Sequence, residues 1–250
     1  DIVCCEDTRH SRKLLDHAGI RPPRLLAVHA HNEAESADRL VREMVAGATV
    51  ACITDAGTPG ISDPGERLVT AAVAAGIVVE VMPGPAAVIA ALVVSGLPTA
   101  RFCFEGFLPR KGRERADRLA EIAAERRTTV LYEAPHRLAV TVRDLAESCG
   151  DNRRVAIARE LTKKFEDVWR GTLADAVERV DSMEARGEHV LVVEGAPEPA
   201  AATDDDIDAA LRRRLDAGLS VRDAAAEVAA ALDVSKRAAY NAALRLSKPR

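Results

Sequence analysis

The chain has 250 residues, 48% of them apolar, and a formal net charge of −4. That length allows two α/β domains of about 100 residues each with a small appendage. The charge balance excludes a chain that is basic throughout, yet leaves room for local basic patches. Four phenylalanines, two tyrosines and one tryptophan imply an aliphatic core, so aromatic stacking is not the main means of recognition. No segment approaches the roughly 18 consecutive apolar residues of a membrane span, and no signal sequence is evident. Five cysteines without metal-ligand spacing fit a reducing cytoplasm.

Strand-like and amphipathic runs alternate from the start. Ile2 to Cys5 reads as a strand already in progress, so the natural amino terminus is expected upstream of Asp1. A helix follows from about Thr8, a strand over Leu25 to His29, and a helix from about Ser36. In that helix Ala37, Leu40, Val41, Met44 and Val45 keep the i, i+3, i+4 spacing of a face buried on a sheet. Thr49 to Ile53 is an apolar run of the kind that forms a buried parallel strand.

Thr54 to Gly65 then reads Thr-Asp-Ala-Gly-Thr-Pro-Gly-Ile-Ser-Asp-Pro-Gly, ahead of a helix carrying Leu68, Val69, Ala72 and Val73 on one face. Glycines permit backbone angles closed to other residues and prolines stiffen the path, so bare main chain can meet a ligand in a fixed shape. Ligands of open α/β sheets collect at such strand ends. The plainer alternative is a long connection rich in turn residues. Ile77 to Met82 is predicted as the next strand, followed by a second stiff turn, Pro83-Gly84-Pro85-Ala86-Ala87, and a helix over Ala86 to Val94. Two such turns side by side would share one crevice.

Residues 1–97 are thus expected to form a first α/β domain, and 98–195 a second. The second reads as a strand over Phe102 to Phe107, a charged helix over Gly112 to Arg127, a strand over Thr129 to Glu133 and a helix over Arg137 to Ser148. Arg154 to Glu160 and Glu166 to Arg170 lie too close for an intervening helix and are predicted to pair antiparallel. A helix over Leu173 to Arg186 and a strand over His189 to Glu194 complete the domain.

Residues 196–204 read as a linker and 205–250 as a helical unit. Ser220 and Asp223 form a capping box ahead of the stripe Val221, Ala224, Ala225, Val228, Ala229 and Leu232. Ser235 caps a second helix bearing Lys236, Arg237, Tyr240, Asn241 and Arg245, with no acidic residue from Lys236 onward. This is the outline of a helix-turn-helix that contacts nucleic acid. A helical hairpin that packs on the body or on a partner subunit is the alternative.

Eight segments in order carry a resemblance: Cys5-Glu-Asp-Thr-Arg-His10, His31-Asn-Glu33, Thr54 to Gly65, Pro83-Gly-Pro85, Phe104 to Pro109, Tyr132-Glu133 with His136-Arg137, Ala158 to Lys163, and Gly187 to Gly195. The chain resembles, over nearly its whole length, the members of the tetrapyrrole methylase superfamily that act on small-subunit ribosomal RNA. The resemblance implies two α/β domains with S-adenosylmethionine in the cleft between them. It implies methyl transfer to the ribose 2′-oxygen of a cytidine in the decoding region of 16S rRNA, and a homodimer. Family members also begin with a further strand and Gly-containing loop that precede the first residue here.

By the family pattern the cofactor lies against Asp55, Ala56, Gly57, Thr58, Ile61 and Ser62, the turn Pro85, Ala86 and Ala87, and second-domain residues Tyr132, Glu133, Leu161 and Val190. Core packing is the alternative for Tyr132 and Val190. Methyl transfer from a sulfonium is an in-line displacement, so alignment is the main work and a base can assist. Asp7, His31, Glu105 and Glu133 are the base candidates, with first-turn carboxylates favoured by a helix dipole as the alternative for Glu6 and Asp7. RNA requires cations along the cleft mouth. Arg9, Arg110, Lys111 and Arg137 flank the motifs, and His31, Lys163, Lys236 and Arg237 extend the set. No metal constellation is evident. Competing readings are methylation of a tetrapyrrole or other small molecule on the same scaffold, and a ligand-sensing regulator that binds nucleic acid.

Overall fold

The computed structural model describes residues 1–29, 31–198 and 202–247. Part of the expected linker, residues 199–201, and the basic tail at 248–250 lie outside the described residues. Two compact units are present, Asp1–Ala196 and Pro197–Arg250.

The first lobe of the larger unit is a parallel sheet in the order β2-β1-β3, built from β1 (Ile2–Cys5), β2 (Arg24–Ala27) and β3 (Val50–Ile53). Helices α1 (Thr8–His17), α2 (Glu33–Val45) and α3 (Glu66–Ala74) accompany it. Ile2, Cys4, Val28, Ala37, Leu40 and Leu68 close a small core in which α2 and α3 lay their apolar stripes on β1. Asp7 caps α1 by accepting the amide of Arg9 at 2.7 Å.

The predicted strand over Ile77 to Met82 does not form. Strand propensity has no effect without a ladder partner, and no described residue pairs with this run. Its side chains lie open, with Val78 82% and Met82 77% exposed.

The second lobe is a five-stranded sheet in the order β4-β5-β8-β6-β7. Its strands are β4 (Phe102–Phe107), β5 (Thr128–Glu133), β6 (Arg154–Arg159), β7 (Asp167–Thr172) and β8 (His189–Val193). β4 and β5 run parallel, and every other pair is antiparallel, including the expected β6–β7 pair. Period-two alternation sorts the side chains to two faces. Leu131, Val155, Ile157, Leu191 and Val193 face α5 (Arg113–Ala124), α6 (Leu138–Cys149) and α7 (Leu173–Ser182). Val130, Ala156, Ala158, Val190 and Val192 face α4 (Ala87–Ser95).

That packing moves α4. The sequence reading places it in the first domain, whereas its buried residues Val88, Ala91 and Leu92 lie on the second sheet. Arg170 of β7 donates from Nε to the Val94 carbonyl at 2.9 Å and fastens the end of the helix. A helix apolar on nearly every face takes the largest apolar surface within reach, which here is the five-stranded sheet.

The smaller unit has three helices, α8 (Asp204–Asp216), α9 (Val221–Ala231) and α10 (Lys236–Ser247). Thr203 and Asp206 form a reciprocal capping box on α8, and Ser220 accepts the Asp223 amide to cap α9. Leu211, Val228, Ala224, Ala239 and Ala243 make its core, in which alanines let α10 approach its neighbours closely. Among the described residues no helix is long and apolar enough to cross a membrane.

Candidate active site

The two stiff turns meet. The Thr58 hydroxyl donates to the Pro85 carbonyl at 2.8 Å, and a Cβ added at Gly57 would come within 3.9 Å of that same oxygen. The expected juxtaposition of the two turns is therefore present, although the second turn follows extended chain without a strand. Asp55 and Ala56 lie exposed at the start of the first turn, and Asp55 makes no hydrogen bond among the described residues. Ile61 is 40% exposed.

The exit of the first turn is held from another element. Glu33 is 7% exposed, and its Oε1 accepts the amides of Gly65 at 2.8 Å and Arg67 at 3.0 Å. A carboxylate supplied by α2 thus satisfies the free amides at the start of α3, where the helix dipole favours negative charge. Gly65, at φ +137°, accommodates this arrangement, and a Cβ there would meet the Gly60 nitrogen at 3.1 Å. Asn32 ties the preceding loop, accepting the His29 amide at 2.8 Å and donating to the Ala27 carbonyl at 3.1 Å. Sequence reasoning gave His31-Asn32-Glu33 no such role. Its one signal was an acidic residue that proved to be buried.

From the second lobe, the Tyr132 hydroxyl accepts the Val88 amide at 3.0 Å, in the first turn of α4. Phe104 and Phe107 stand edge-on to the Tyr132 ring, at 4.8 and 5.7 Å between centroids. Ala86, Ala87, Tyr132, Leu161 and Val190 belong to one apolar cluster, so these five candidates are brought together. A Cβ at Gly106 would lie 3.2 Å from the Ser62 hydroxyl, which marks a close approach of the two lobes. Ser62 and Thr162 both hold positive φ, +62° and +63°. For a β-branched threonine this is a strained conformation of the kind that collects at ligand sites.

Two catalytic candidates are corrected. Glu133 alternates with Tyr132 and points to the opposite face of the sheet, where it is 2% exposed. Its Oε2 accepts from Thr141 at 2.5 Å, and its Oε1 accepts the Ala134 amide at 2.9 Å and pairs with Arg137 at 3.3 Å. Neither oxygen is free to take a substrate proton or to touch a cofactor beside Tyr132. Glu105 likewise leaves the Phe104 face and pairs with Arg118 of α5 at 3.1 Å. Asp7 acts as a helix cap, and Arg9 beside it holds its carboxyl below the usual range. His31 is exposed and stands edge-on to His29.

A carboxylate not singled out from the sequence titrates near neutrality. Asp63 is half-buried, and loss of hydration, reinforced by Glu6, Glu188 and Asp55, pushes it up to about 6. Burial, and more weakly Asp63 and Glu188, raise the Tyr132 phenol in turn.

The cation candidates divide. Arg110, Lys111, Lys236 and Arg237 are exposed and have no ion-pair partner among the described residues. Arg9 is exposed but turned onto Asp7, at 3.2 Å. Lys163 is shared between Glu160 and Glu188 at 3.1 and 2.8 Å. Arg137 is committed to Glu133 and to the Leu108 carbonyl, the latter at 2.6 Å. It therefore does not reach out as a free cation.

The groups gathered around the two turns suit a nucleoside bearing a sulfonium. Glycine-opened main chain at Gly57, carbonyls and amides of two stiff turns, an apolar wall at Tyr132 and Val190, and carboxylates on the rim match a cation with a flat base and a ribose.

This two-lobed arrangement is that of the tetrapyrrole methylases. The sequence profile of Tetrapyrrole (Corrin/Porphyrin) Methylases matches residues 1–177, and that of the RsmI C-terminal HTH domain matches 201–247. Among solved structures, the methyltransferase CobJ aligns with a TM-score of 0.54 at 21% identity, over 78% of this chain and 93% of its own. A uroporphyrin-III C-methyltransferase from Thermus thermophilus complexed with S-adenyl homocysteine gives 0.51 at 18%, over 77% and 84%. At such identities these two share the fold. A ribosomal RNA small subunit methyltransferase I of Xylella fastidiosa strain Temecula1 is 53% identical over 203 residues, 80% of this chain and 74% of its own. Its namesake from Mycobacterium tuberculosis is 46% identical over 247 residues, 98% and 86% of the two chains. The chain belongs to the ribosomal RNA small subunit methyltransferase I family within the tetrapyrrole methylase class.

Proposed function

We propose that this protein transfers a methyl group from S-adenosylmethionine to the ribose 2′-oxygen of a cytidine in the decoding region of 16S rRNA. The observation that carries the reading is the junction of the two turns at Thr58 and Pro85, beside the Tyr132 wall that closes onto α4. When bound, the cofactor supplies an electrophilic methyl group on a sulfonium. The chain's own work is alignment. Gly57, Thr58, Pro85, Ala86 and Ala87 hold the nucleoside through main-chain groups, while Tyr132, Leu161 and Val190 exclude water from one side. The rim carboxylates favour positive charge at the sulfur, and the Asp63 carboxylate has the proton affinity of a base that works near neutral pH. Arg110, Lys111, Lys236 and Arg237, exposed and without an ion-pair partner among the described residues, take RNA phosphates. We read the protein as a cytoplasmic homodimer, which sedimentation of the full chain tests.

The experiment is transfer of tritium from labelled S-adenosylmethionine to small ribosomal subunits that lack the modification. Label in 16S rRNA, with one linkage made resistant to alkali, is the expected result, because alkaline cleavage needs a free 2′-hydroxyl. Label on a tetrapyrrole, or binding of cofactor without transfer to RNA, would overturn it.

A further inference from the structure

The β4–α5 loop, α5 and the start of α6 border a half-open hollow of about 330 Å³ lined by Arg110, Arg115, His136, Arg137, Val140 and Thr141. Basic side chains dominate the lining, and no carboxylate belongs to it. Every guanidinium nitrogen of Arg115 is engaged. Its Nε and Nη2 donate to Asp144 at 2.8 and 2.6 Å, Nη2 also to Thr141 at 3.0 Å, and Nη1 to the Pro109 carbonyl at 2.9 Å. It forms a fixed floor.

Arg137 is half spent. Nε pairs with Glu133 at 3.3 Å and Nη2 donates to the Leu108 carbonyl at 2.6 Å, which leaves Nη1 without a partner among the described residues. The guanidinium is thus held in place with one nitrogen unused, and binding there costs little rotamer freedom. Arg110 and His136 are exposed at the mouth and have no partner among the described residues. Asp144 and Glu133 are matched by the two inner arginines, so Arg110 is the one lining cation without an ion-pair partner among the described residues, and Arg137 and His136 add hydrogen-bond donors beside it.

We propose that this cavity binds one phosphate group through Arg110, His136 and Nη1 of Arg137. The phosphate belongs either to the RNA backbone or to a free nucleotide. The volume lies at the lower end of ligand sites, about 300–1,000 Å³, enough for a phosphate and its attached sugar. The RNA source rests on the function proposed above. Tyr132 and Glu133 are consecutive on β5 and point to opposite faces, so a phosphate anchored beside Arg137 belongs to a nucleotide other than the one presented at Tyr132. The cavity is then a register anchor for the flanking strand.

The test compares the parent chain with Arg110→Ala and His136→Ala, both surface changes. RNA of decoding-region sequence is titrated at several salt concentrations, and inorganic phosphate and cytidine monophosphate are titrated calorimetrically. With an RNA source, each substitution weakens RNA binding about tenfold, as loss of one charge-assisted hydrogen bond would. For Arg110→Ala the slope of log K against log salt flattens by roughly 0.7, and a methylphosphonate at a single linkage reproduces the loss without adding to that variant. With a free-nucleotide source, the parent binds phosphate or cytidine monophosphate and Arg110→Ala does not, while the RNA slope stays put. If neither RNA nor small phosphates distinguish parent from variants, the assignment falls. Tritium transfer by the parent is scored separately, so phosphate binding lost in Arg110→Ala without any RNA methylation would sink the proposed function and leave the cavity standing.

Discussion

Replacing Glu33 tests whether the first turn is held by a carboxylate supplied from α2. Glu33→Ala removes a buried acceptor of two amides, those of Gly65 at 2.8 Å and Arg67 at 3.0 Å. The Gly65 amide is buried and left unsatisfied, which costs about 2 kcal/mol. Arg67 is exposed, so its amide can hydrate and the loss there is nearer ~0.5 kcal/mol. Removing negative charge from the start of α3 adds about 0.5 kcal/mol. The expected destabilisation is about 3 kcal/mol, a shift of roughly 1 M in urea midpoint at an m-value near 3 kcal/mol/M. Glu33→Gln keeps a neutral acceptor and retains about half the bond strength, so it falls between parent and Ala. Urea unfolding followed by far-UV circular dichroism gives the midpoints, and hydrogen exchange at Gly65 and Arg67 locates the effect. An Ala variant within about 0.2 M of the parent, with the Gly65 amide still protected, would refute the reasoning.

Tyr132→Phe strips the acceptor from the Val88 amide at the first turn of α4. The expected loss is about 1 kcal/mol, measured by thermal unfolding, and an unchanged melting temperature counts against the bond. Asp63 sits at about 6 in the folded chain, above the ~3.9 of an unfolded aspartate, so the native state holds its proton more tightly. Its contribution is fully present below about pH 4 and is lost as pH rises through about 6. Asp63→Asn should remove that slope and be the more stable form at pH 7, and parallel stability-versus-pH curves would contradict this. Gly65→Ala places a Cβ 3.1 Å from the Gly60 nitrogen at φ +137°. It should cost about 2 kcal/mol and weaken cofactor binding through the displaced loop, read by calorimetry.

The elements whose stability is local were legible in the sequence. Helix α1, the strands of the second lobe and α9 with its Ser220 cap follow from spacing and capping chemistry alone, whereas the Asp7 and Thr203 caps were read only from the structure. The Gly/Pro turns were legible too, because only such residues give that backbone. Ile77 to Met82 was misread because a strand needs a neighbour that propensity does not supply. Glu105 and Glu133 were misread for a different reason. Motif position placed them at strand ends, but alternation at Glu133 and the irregularity of β4 at Glu105 sent them to the helical face, where Thr141 and Arg118 engage them.

Order and spacing along the chain determined the class of protein, the sites of the flexible main chain and the basic character of α10. Tertiary structure alone decided that α4 belongs to the five-stranded sheet, that Glu33 closes a loop thirty-two positions away, and which arginines remain unpaired. Burial and pairing depend on what arrives from distant parts of the chain, and a side chain's charge acts on a ligand only when nothing closer has already taken it.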